Sequence, residues 1–151
     1  MAIADRANTL VAVVADVEVD TSTGKVSVKK ITLSHDCGFI VNPDGLQNQI
    51  QGNVIQGVSR TLLEEVRFDA SGVTSLDWRS YPILTFEDIP EIDIVLINRP
   101  DAPALGGGEP AIVPIPAAIG NAVVDAVGVR FLEVPLTPET VLRGLRSRRS
   151  P

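Results

Sequence analysis

The sequence has a single cysteine, Cys37, and a single histidine, His35. One thiol cannot form an intrachain disulfide, and structural zinc sites and iron–sulfur clusters need several Cys or His ligands. These classes of site are therefore excluded for this chain by itself. His35, Asp36 and Cys37 are adjacent, but successive side chains of an extended segment point to opposite faces, so the three cannot converge on one ion. We therefore predict no metal site here and interpret Cys37 as a buried thiol beside a turn.

Basic charge and long apolar runs are also scarce. The formal net charge is -6, and no basic patch with interleaved aromatics is present, so nucleic acid is not a predicted partner. The C-terminal arginines are interpreted as a solvated tail over residues 143–151; they are Arg143, Arg146, Arg148 and Arg149. No apolar run approaches the roughly 20 residues of a membrane span. The N-terminal stretch MAIADRANTLVAVVADVEVD, interrupted by acidic residues, predicts a strand and not a signal peptide, and a cytoplasmic location is expected for the isolated chain.

A core-forming composition is present instead. The 151 residues are 44% hydrophobic, which fits one domain with a buried core. Strands and helices alternate in mixed order, which predicts an α+β fold with a mixed sheet and two main helices. The predicted strands are 10–19, 26–33, 66–68, 73–78, 92–97 and 131–134. The predicted helices are 43–65, capped by Asn42, then 115–127, ended by Gly128, and a terminal helix capped by Thr137.

The first predicted helix has two unlike faces. At 100° per residue, one broad arc is apolar; it contains Leu46, Ile50, Val54, Val58 and Leu62. The opposite arc carries amides and glycines; it contains Gly45, Gln49, Gly52, Asn53, Gln56 and Arg60. A plain solvent face more often carries Glu and Lys, whereas amides and glycines suit the close approach of a polar ligand or another backbone. An uncharged exposed face is the alternative, and this pattern leaves both open.

A glycine-rich loop, Gly106-Gly107-Gly108-Glu109-Pro110, lies between a predicted strand and a predicted helix. Glycines permit positive φ and leave room for something bulky to approach the backbone. Pro110 disfavours helical backbone at the preceding residue, so we expect an extended Glu109 with a fixed side-chain direction. Two interpretations remain: a ligand-approached loop with one aimed carboxylate, or a flexible surface turn with an incidental glutamate.

Three stretches carry a family resemblance: HDCGFIVNPDGLQNQIQGNVIQGVSRTLLEEVRFD, SYPILTFEDIPEIDIVLINRP and GGGEPAIVPIPAAIGNAVVDAVGVRFLEVPLTPETV. Together they resemble the C-terminal part of the molybdopterin-binding large subunit of the xanthine dehydrogenase and aldehyde oxidase family. Within that family the similarity is closest to the β-subunit of isoquinoline 1-oxidoreductase. It covers nearly the whole chain in order. The resemblance implies that residues 1–142 form a C-terminal molybdopterin-binding subdomain of a larger subunit.

The resemblance also implies a function and a site. The parent enzyme is then a molybdenum hydroxylase, an oxidoreductase that hydroxylates an aldehyde or N-heteroaromatic carbon with water as the oxygen source. Glu109 corresponds to the general base of the family. The implied cofactor is molybdopterin cytosine dinucleotide with molybdenum. The cofactor-binding residues implied are Gln49, Gly52 and Gln56 of the QxxGxxxQG pattern, together with Gly107 and Gly108.

The same resemblance implies partners, because the chain matches only the last part of the family's large subunits. The expected partners are the remainder of that subunit and a small iron–sulfur subunit with two clusters, and the parent enzyme could be periplasmic. The isolated chain is expected to bind no molybdenum, to be inactive, and to self-associate through exposed apolar surface. The alternatives are a non-catalytic truncated fragment and a binding domain with no activity of its own.

Overall fold

The computed structural model describes residues 1–147, in which a four-stranded sheet carries two long helices on one face. The strands are β1 Ala2–Arg6, β2 Thr9–Val19, β3 Val26–Asp36, β4 Phe68–Asp69, β5 Gly72–Val73 and β6 Glu91–Leu96, and the helices are α1 Pro43–Leu62, α2 Ile115–Val127 and α3 Pro138–Ser147. The sheet order is β1-β2-β3-β6, antiparallel except for the parallel pair β3–β6, and β4–β5 form a separate small hairpin. The predicted α+β fold with a mixed sheet is confirmed.

The N-terminal stretch forms two strands, so the prediction of one strand was wrong. Between β1 and β2, Ala7 and Asn8 have φ of 52° and 67°, as in a tight turn with two left-handed residues. The amide N–H of Asn8 donates to Asp5 Oδ1 at 3.1 Å and supports the turn. Alanine rarely adopts positive φ, so the local sequence did not predict this reversal of the chain direction.

The core lies between one face of the sheet and the helices α1 and α2. Along β2, Val11, Val13 and Ala15 are buried while Leu10 and Val14 on the other face are exposed, which is the alternation of a half-covered strand. The predicted apolar arc of α1 faces this core: four of its members are buried and Leu46 is partly buried. These contacts fix the amide face of α1 toward the outside.

Helix α1 begins where the sequence predicted, since Asn42 Oδ1 accepts from the N–H of Gly45 at 3.0 Å. It ends at Leu62, three residues before the predicted 65. The N–H groups of Leu63 and Glu64 both donate to the carbonyl of Ser59, and the carbonyl of Thr61 accepts from Leu136, so the last turn closes on a tertiary partner. Helix α2 has the predicted bounds, and Gly128 ends it with φ of 67°.

Three predicted strands are absent or shortened in the described chain. Of the strand predicted over 66–68, only Phe68 lies in a strand, which is β4. Residues 131–134 form no strand, because they face α3 and not a sheet edge: Phe131 packs where a Cβ on Gly144 would lie. The predicted strand 73–78 is reduced to the two residues of β5. Leu76 and Trp78 remain 79% and 75% exposed, so no covered sheet face holds that segment extended.

Helix α3 includes the first residues of the predicted basic tail. It runs from Pro138 to Ser147, so residues 143–147 are helical, and Arg143 pairs with Glu133. Thr137 accepts from the N–H of Thr140 at 3.3 Å, as expected of a capping residue. Arg148 and Arg149 lie outside the described residues.

Residues 110–127 are long and apolar enough for a membrane-crossing helix by length and composition alone. Within them, α2 packs against β2 and α1, with Ile115, Ile119 and Val123 fully buried. The apolar composition of this segment is accounted for by its place in the core.

Candidate functional site

The glycine-rich loop crosses the ends of β2 and β3 on its way from β6 to α2. Before the glycines, the N–H of Leu105 donates to the carbonyl of Cys37 at 2.9 Å, just beyond β3. After them, Pro110–Ile112 form a single 3₁₀ turn that leads into α2. The loop therefore lies at one end of the sheet, beside the exposed face of α1.

Two carbonyls of the loop are held by side chains from different elements. Gly106 O accepts from Thr9 Oγ1 of β2 at 2.8 Å. Gly108 O accepts from Gln49 Nε2 at 2.7 Å and from Asn53 Nδ2 at 2.8 Å, both on α1. The amide face of α1 and the glycine-rich loop, predicted separately from the sequence, thus meet at Gly108.

The space around the three glycines differs. A Cβ on Gly107 would lie 2.7 Å from Leu46 Cδ1, so this glycine allows the loop to approach α1. A Cβ on Gly106 or Gly108 would meet nothing within 4 Å. None of the three has φ between +20° and +160°, so positive φ is not the reason for these glycines, and close approach to α1 accounts for Gly107 alone.

Glu109 is exposed and paired with a residue from β1. Its carboxylate oxygen Oε2 lies 3.1 Å from Arg6 Nη2, with the side chains of Glu109 and Arg6 74% and 60% exposed. Its backbone, φ -110° and ψ -24°, is not extended, which corrects the expectation drawn from Pro110. The carbonyl of Glu109 accepts from the N–H of Ile112 to start the 3₁₀ turn, and that bond outweighs the preference of a residue before proline.

The remaining predicted cofactor residues continue along the same face of α1. A Cβ on Gly52 would meet nothing within 4 Å, and Gln56 is exposed, with Oε1 3.4 Å from Arg60 Nη2. Gln56 is seven residues, or roughly 10 Å of helix, beyond Gln49. Gly57, the last residue of the QxxGxxxQG pattern, is different: it is buried against α2, where its Cβ would lie 2.8 Å from Ile115 Cγ2.

The triplet at the end of β3 does not join the site. Asp36 binds Arg99 Nε at 2.9 Å and the N–H of Gly38 at 3.0 Å, and these bonds hold its pKa below the usual range. Cys37 is a buried free thiol, as predicted, and burial raises its pKa. His35 is fully buried, neither of its ring nitrogens has a hydrogen-bond partner in the described part of the chain, and burial lowers its pKa.

Sequence reasoning missed three residues of the site: Arg6, Thr9 and, as a loop contact, Asn53. Arg6 and Thr9 flank the β1–β2 turn, which was not predicted, so nothing placed them near residue 109. Asn53 was assigned to the amide face of α1. Its side chain is only 8% exposed, and the helical period could not predict that burial.

Comparison with known proteins identifies the family of this chain. The model of the family described as "Molybdopterin cofactor-binding domain" matches residues 4–90, which include Arg6, Thr9 and the predicted residues of α1 but not Glu109. A subunit of nicotinate dehydrogenase from Pseudomonas putida is 51% identical over 132 residues, 87% of this chain and 11% of that protein. The beta subunit of isoquinoline 1-oxidoreductase from Brevundimonas diminuta is 30% identical over 131 residues, 87% of this chain and 17% of that protein.

A solved structure gives the same result for the fold. Quinoline 2-oxidoreductase from Pseudomonas putida 86 superimposes with a TM-score of 0.84 at 33% identity, over 91% of this chain and 19% of that one. The chain belongs to the molybdopterin cofactor-binding domain family, and the resemblance to the molybdenum-binding subunits of the xanthine dehydrogenase and aldehyde oxidase family is confirmed. It spans only 11% to 19% of the length of these three relatives.

Proposed function

We propose that this chain forms part of the cofactor site of a molybdenum hydroxylase that uses water to hydroxylate an aldehyde or N-heteroaromatic carbon. The observation that carries the proposal is the contact between the glycine-rich loop and the amide face of α1, through Gly108 O and Gln49 Nε2 at 2.7 Å. It brings a carboxylate, two open glycines and several amides to one surface.

The residues present fit a bulky polar cofactor. Gly52 and Gly108 each leave open the space that a Cβ would fill, while Gln49 and Gln56 offer exposed amides on the same helix face. Gly107 contributes by letting the loop lie close to Leu46. These five residues would hold molybdopterin cytosine dinucleotide, which, when bound, supplies a molybdenum centre that accepts two electrons.

Glu109 is the general base of this proposal. A carboxylate oxygen takes up the proton of the water whose oxygen enters the product, and a positioned base of this kind contributes roughly 10² to 10⁴ to the rate. Asn53 donates to the carbonyl of Gly108, directly before Glu109, and so fixes the backbone from which the side chain of the base extends. Arg6 pairs with the carboxylate at 3.1 Å and limits its directions.

The isolated chain is proposed to be inactive and to bind no molybdenum. Its carboxylate is 74% exposed, whereas a base acts best in a site from which bulk water is excluded. The partners proposed are the remainder of the large subunit and a small two-cluster iron–sulfur subunit, with the parent enzyme in the cytoplasm or periplasm. Stoichiometric molybdenum in the purified chain, measured by elemental analysis, would contradict this part.

Exposed apolar side chains on the uncovered face of the sheet support an interface there. Ile3, Leu10 and Val14 are 68%, 48% and 44% exposed and lie on adjacent strands. In the complete subunit this face is proposed to contact other parts of the polypeptide, and in the isolated chain to drive self-association. Light scattering of the purified chain distinguishes a monomer from an assembly.

The test of the function uses the complete enzyme carrying Glu109→Gln. The substitution keeps the size and polarity of the side chain but removes the base. Turnover is expected to fall roughly 10² to 10⁴-fold while molybdenum content stays at the wild-type level. Unchanged turnover would remove Glu109 as the base.

A further inference from the structure

Three consecutive glycines form a highly flexible backbone. In residues 106–108, however, the first and the last carbonyl are both hydrogen-bonded to other elements of the fold. Thr9 Oγ1 holds the carbonyl of Gly106 at 2.8 Å, and Thr9 is fully buried at the start of β2. Asn53 Nδ2 holds the carbonyl of Gly108 at 2.8 Å, and Asn53 is only 8% exposed. Both anchors belong to elements that pack into the core, so the loop is attached to rigid parts of the fold.

The two donors to Gly108 are not equivalent. Asn53 also donates to the main-chain carbonyl of Gln49 at 2.9 Å, so its side-chain amide is engaged at both hydrogens within the fold. Gln49 has an exposed side chain that, among residues 1–147, donates to Gly108 O alone. One donor is enough for a carbonyl oxygen. If the Gln49 side chain moves away, Gly108 O therefore remains hydrogen-bonded to Asn53.

The anchors also decide where the loop N–H groups point. In a planar trans peptide the N–H of one residue is opposite to the carbonyl of the residue before it. With the carbonyls of Gly106 and Gly108 held by Thr9 and α1, the N–H groups of Gly107 and Glu109 point away from these contacts. Neither N–H has a hydrogen-bond partner among residues 1–147. They are donors available to acceptor atoms of a bound molecule.

We propose that Thr9 and Asn53 are positioning residues that hold the glycine-rich loop in its binding conformation before the ligand arrives, and that Gln49 is the exchangeable contact. On cofactor binding the Gln49 amide turns from Gly108 O to the cofactor, while Asn53 keeps the loop in place. The cofactor in this statement rests on the proposed function. The preorganisation of the loop does not.

The test measures loop motion in the purified chain by NMR relaxation of the amides of residues 106–108. In the wild type their order parameters are expected near 0.85, the value of rigid backbone, in spite of the three glycines. Thr9→Val removes the hydroxyl with little change in shape, and Asn53→Asp replaces the donating amide by a carboxylate of the same shape, which repels the two carbonyls that Asn53 binds. Each is expected to lower the order parameters below about 0.6, the range of flexible backbone.

Two control variants separate anchoring from general damage. Thr9→Ser keeps the hydroxyl and should restore the rigid values, whereas Gln49→Leu should leave them unchanged. The amides of β2 and β3 report in the same spectra whether each variant is folded. If Asn53→Asp does not fold, Asn53→Ser provides the second variant for the same measurement.

Order parameters that fall only in Gln49→Leu would overturn the division between fixed and exchangeable contacts. A wild-type loop that is already mobile would overturn the preorganisation itself. Because no cofactor is used, either result is independent of the turnover measured with Glu109→Gln. A chain with a rigid anchored loop and an active Glu109→Gln enzyme would leave this inference standing and remove the proposed base.

Discussion

Helix α1 presents two faces whose glycines do different things. On the core side, Gly57 is buried, and its missing Cβ makes room for Ile115 of α2 at 2.8 Å. On the outer side, Gly52 lies one turn away from Gln49 and a Cβ there would meet nothing within 4 Å. Packing explains the first glycine completely, but nothing within the described chain explains the second.

The comparison separates what the fold requires from what a ligand would require. A helix-interior glycine destabilises a protein by roughly 0.5–1 kcal/mol relative to alanine, so an unexplained one points to a role outside the folded chain. The same distinction holds in the loop, where Gly107 is explained by Leu46 and Gly108 is not. Gly52 and Gly108, whose missing Cβ is not explained by packing, are both assigned to the cofactor.

The largest expected effect on stability comes from the core face of α1. Ile50 is fully buried, so Ile50→Ala should lower the free energy of unfolding by roughly 2–5 kcal/mol through lost burial and a cavity. Gln56→Ala on the opposite face is the matched control, expected to change it by less than about 0.5 kcal/mol. Urea denaturation measures the free energy of unfolding of both variants. Equal losses of that free energy would show that the two faces of α1 do not differ in their contribution to stability.

The two glycines of α1 give the next effect, with opposite signs. Gly57→Ala should destabilise by roughly 1–3 kcal/mol, because the new methyl group collides with a buried isoleucine. Gly52→Ala should stabilise by roughly 0.5–1 kcal/mol, since the helix gains an alanine in open space. Thermal unfolding compares them. A destabilising Gly52→Ala would mean that the chain itself needs this glycine.

The two buried polar side chains Asn53 and His35 differ in hydrogen bonding, and this difference predicts how stability depends on pH. Asn53 is hydrogen-bonded, whereas His35 is buried without a hydrogen-bond partner for either ring nitrogen, and burial lowers the pKa of His35 from 6.5. Below pH 6.5 the unfolded chain therefore binds a proton that the folded chain does not. Stability should fall as pH drops from 6.5 to 5, by at most about 1.4 kcal/mol per pH unit.

The His35→Leu variant isolates this dependence, because it removes the titrating ring from an apolar site. Its free energy of unfolding should change less between pH 6.5 and 5 than that of the wild type, in denaturant titrations at several pH values. The carboxylates titrate mainly below this window, so they contribute little to the difference. Parallel curves for the two proteins would exclude His35 as the cause.

Local sequence signals predicted α1, α2 and the strands β2, β3 and β6 because each has a strong period, a cap or a breaker, such as Asn42 and Gly128. The β1–β2 reversal escaped prediction because Ala7 adopts positive φ, which no local rule favours for alanine. The segment 131–134 has a strand-like composition but meets α3, and that neighbour is decided by tertiary packing.

The candidate site was predictable in its parts and not in its contacts. The amides of α1 and the glycine-rich loop could be named from residue types, since amides and glycines on one face suit a ligand. Their meeting at Gly108 joins residues 55 and 59 positions apart, and the pairing of Arg6 with Glu109 spans 103. Separations of that length depend on the whole topology, which single-sequence patterns do not encode.

The most direct test of the cofactor site is the molybdenum content of the complete enzyme carrying Gly108→Leu. A Cβ at residue 108 meets nothing within 4 Å in the chain, so folding of the isolated chain should be little affected. The leucine would, however, fill the space assigned to the cofactor. We predict wild-type thermal stability of the isolated variant chain and loss of most molybdenum from the purified enzyme by elemental analysis. Full molybdenum content in a correctly assembled Gly108→Leu enzyme would contradict the assignment of this surface to the cofactor.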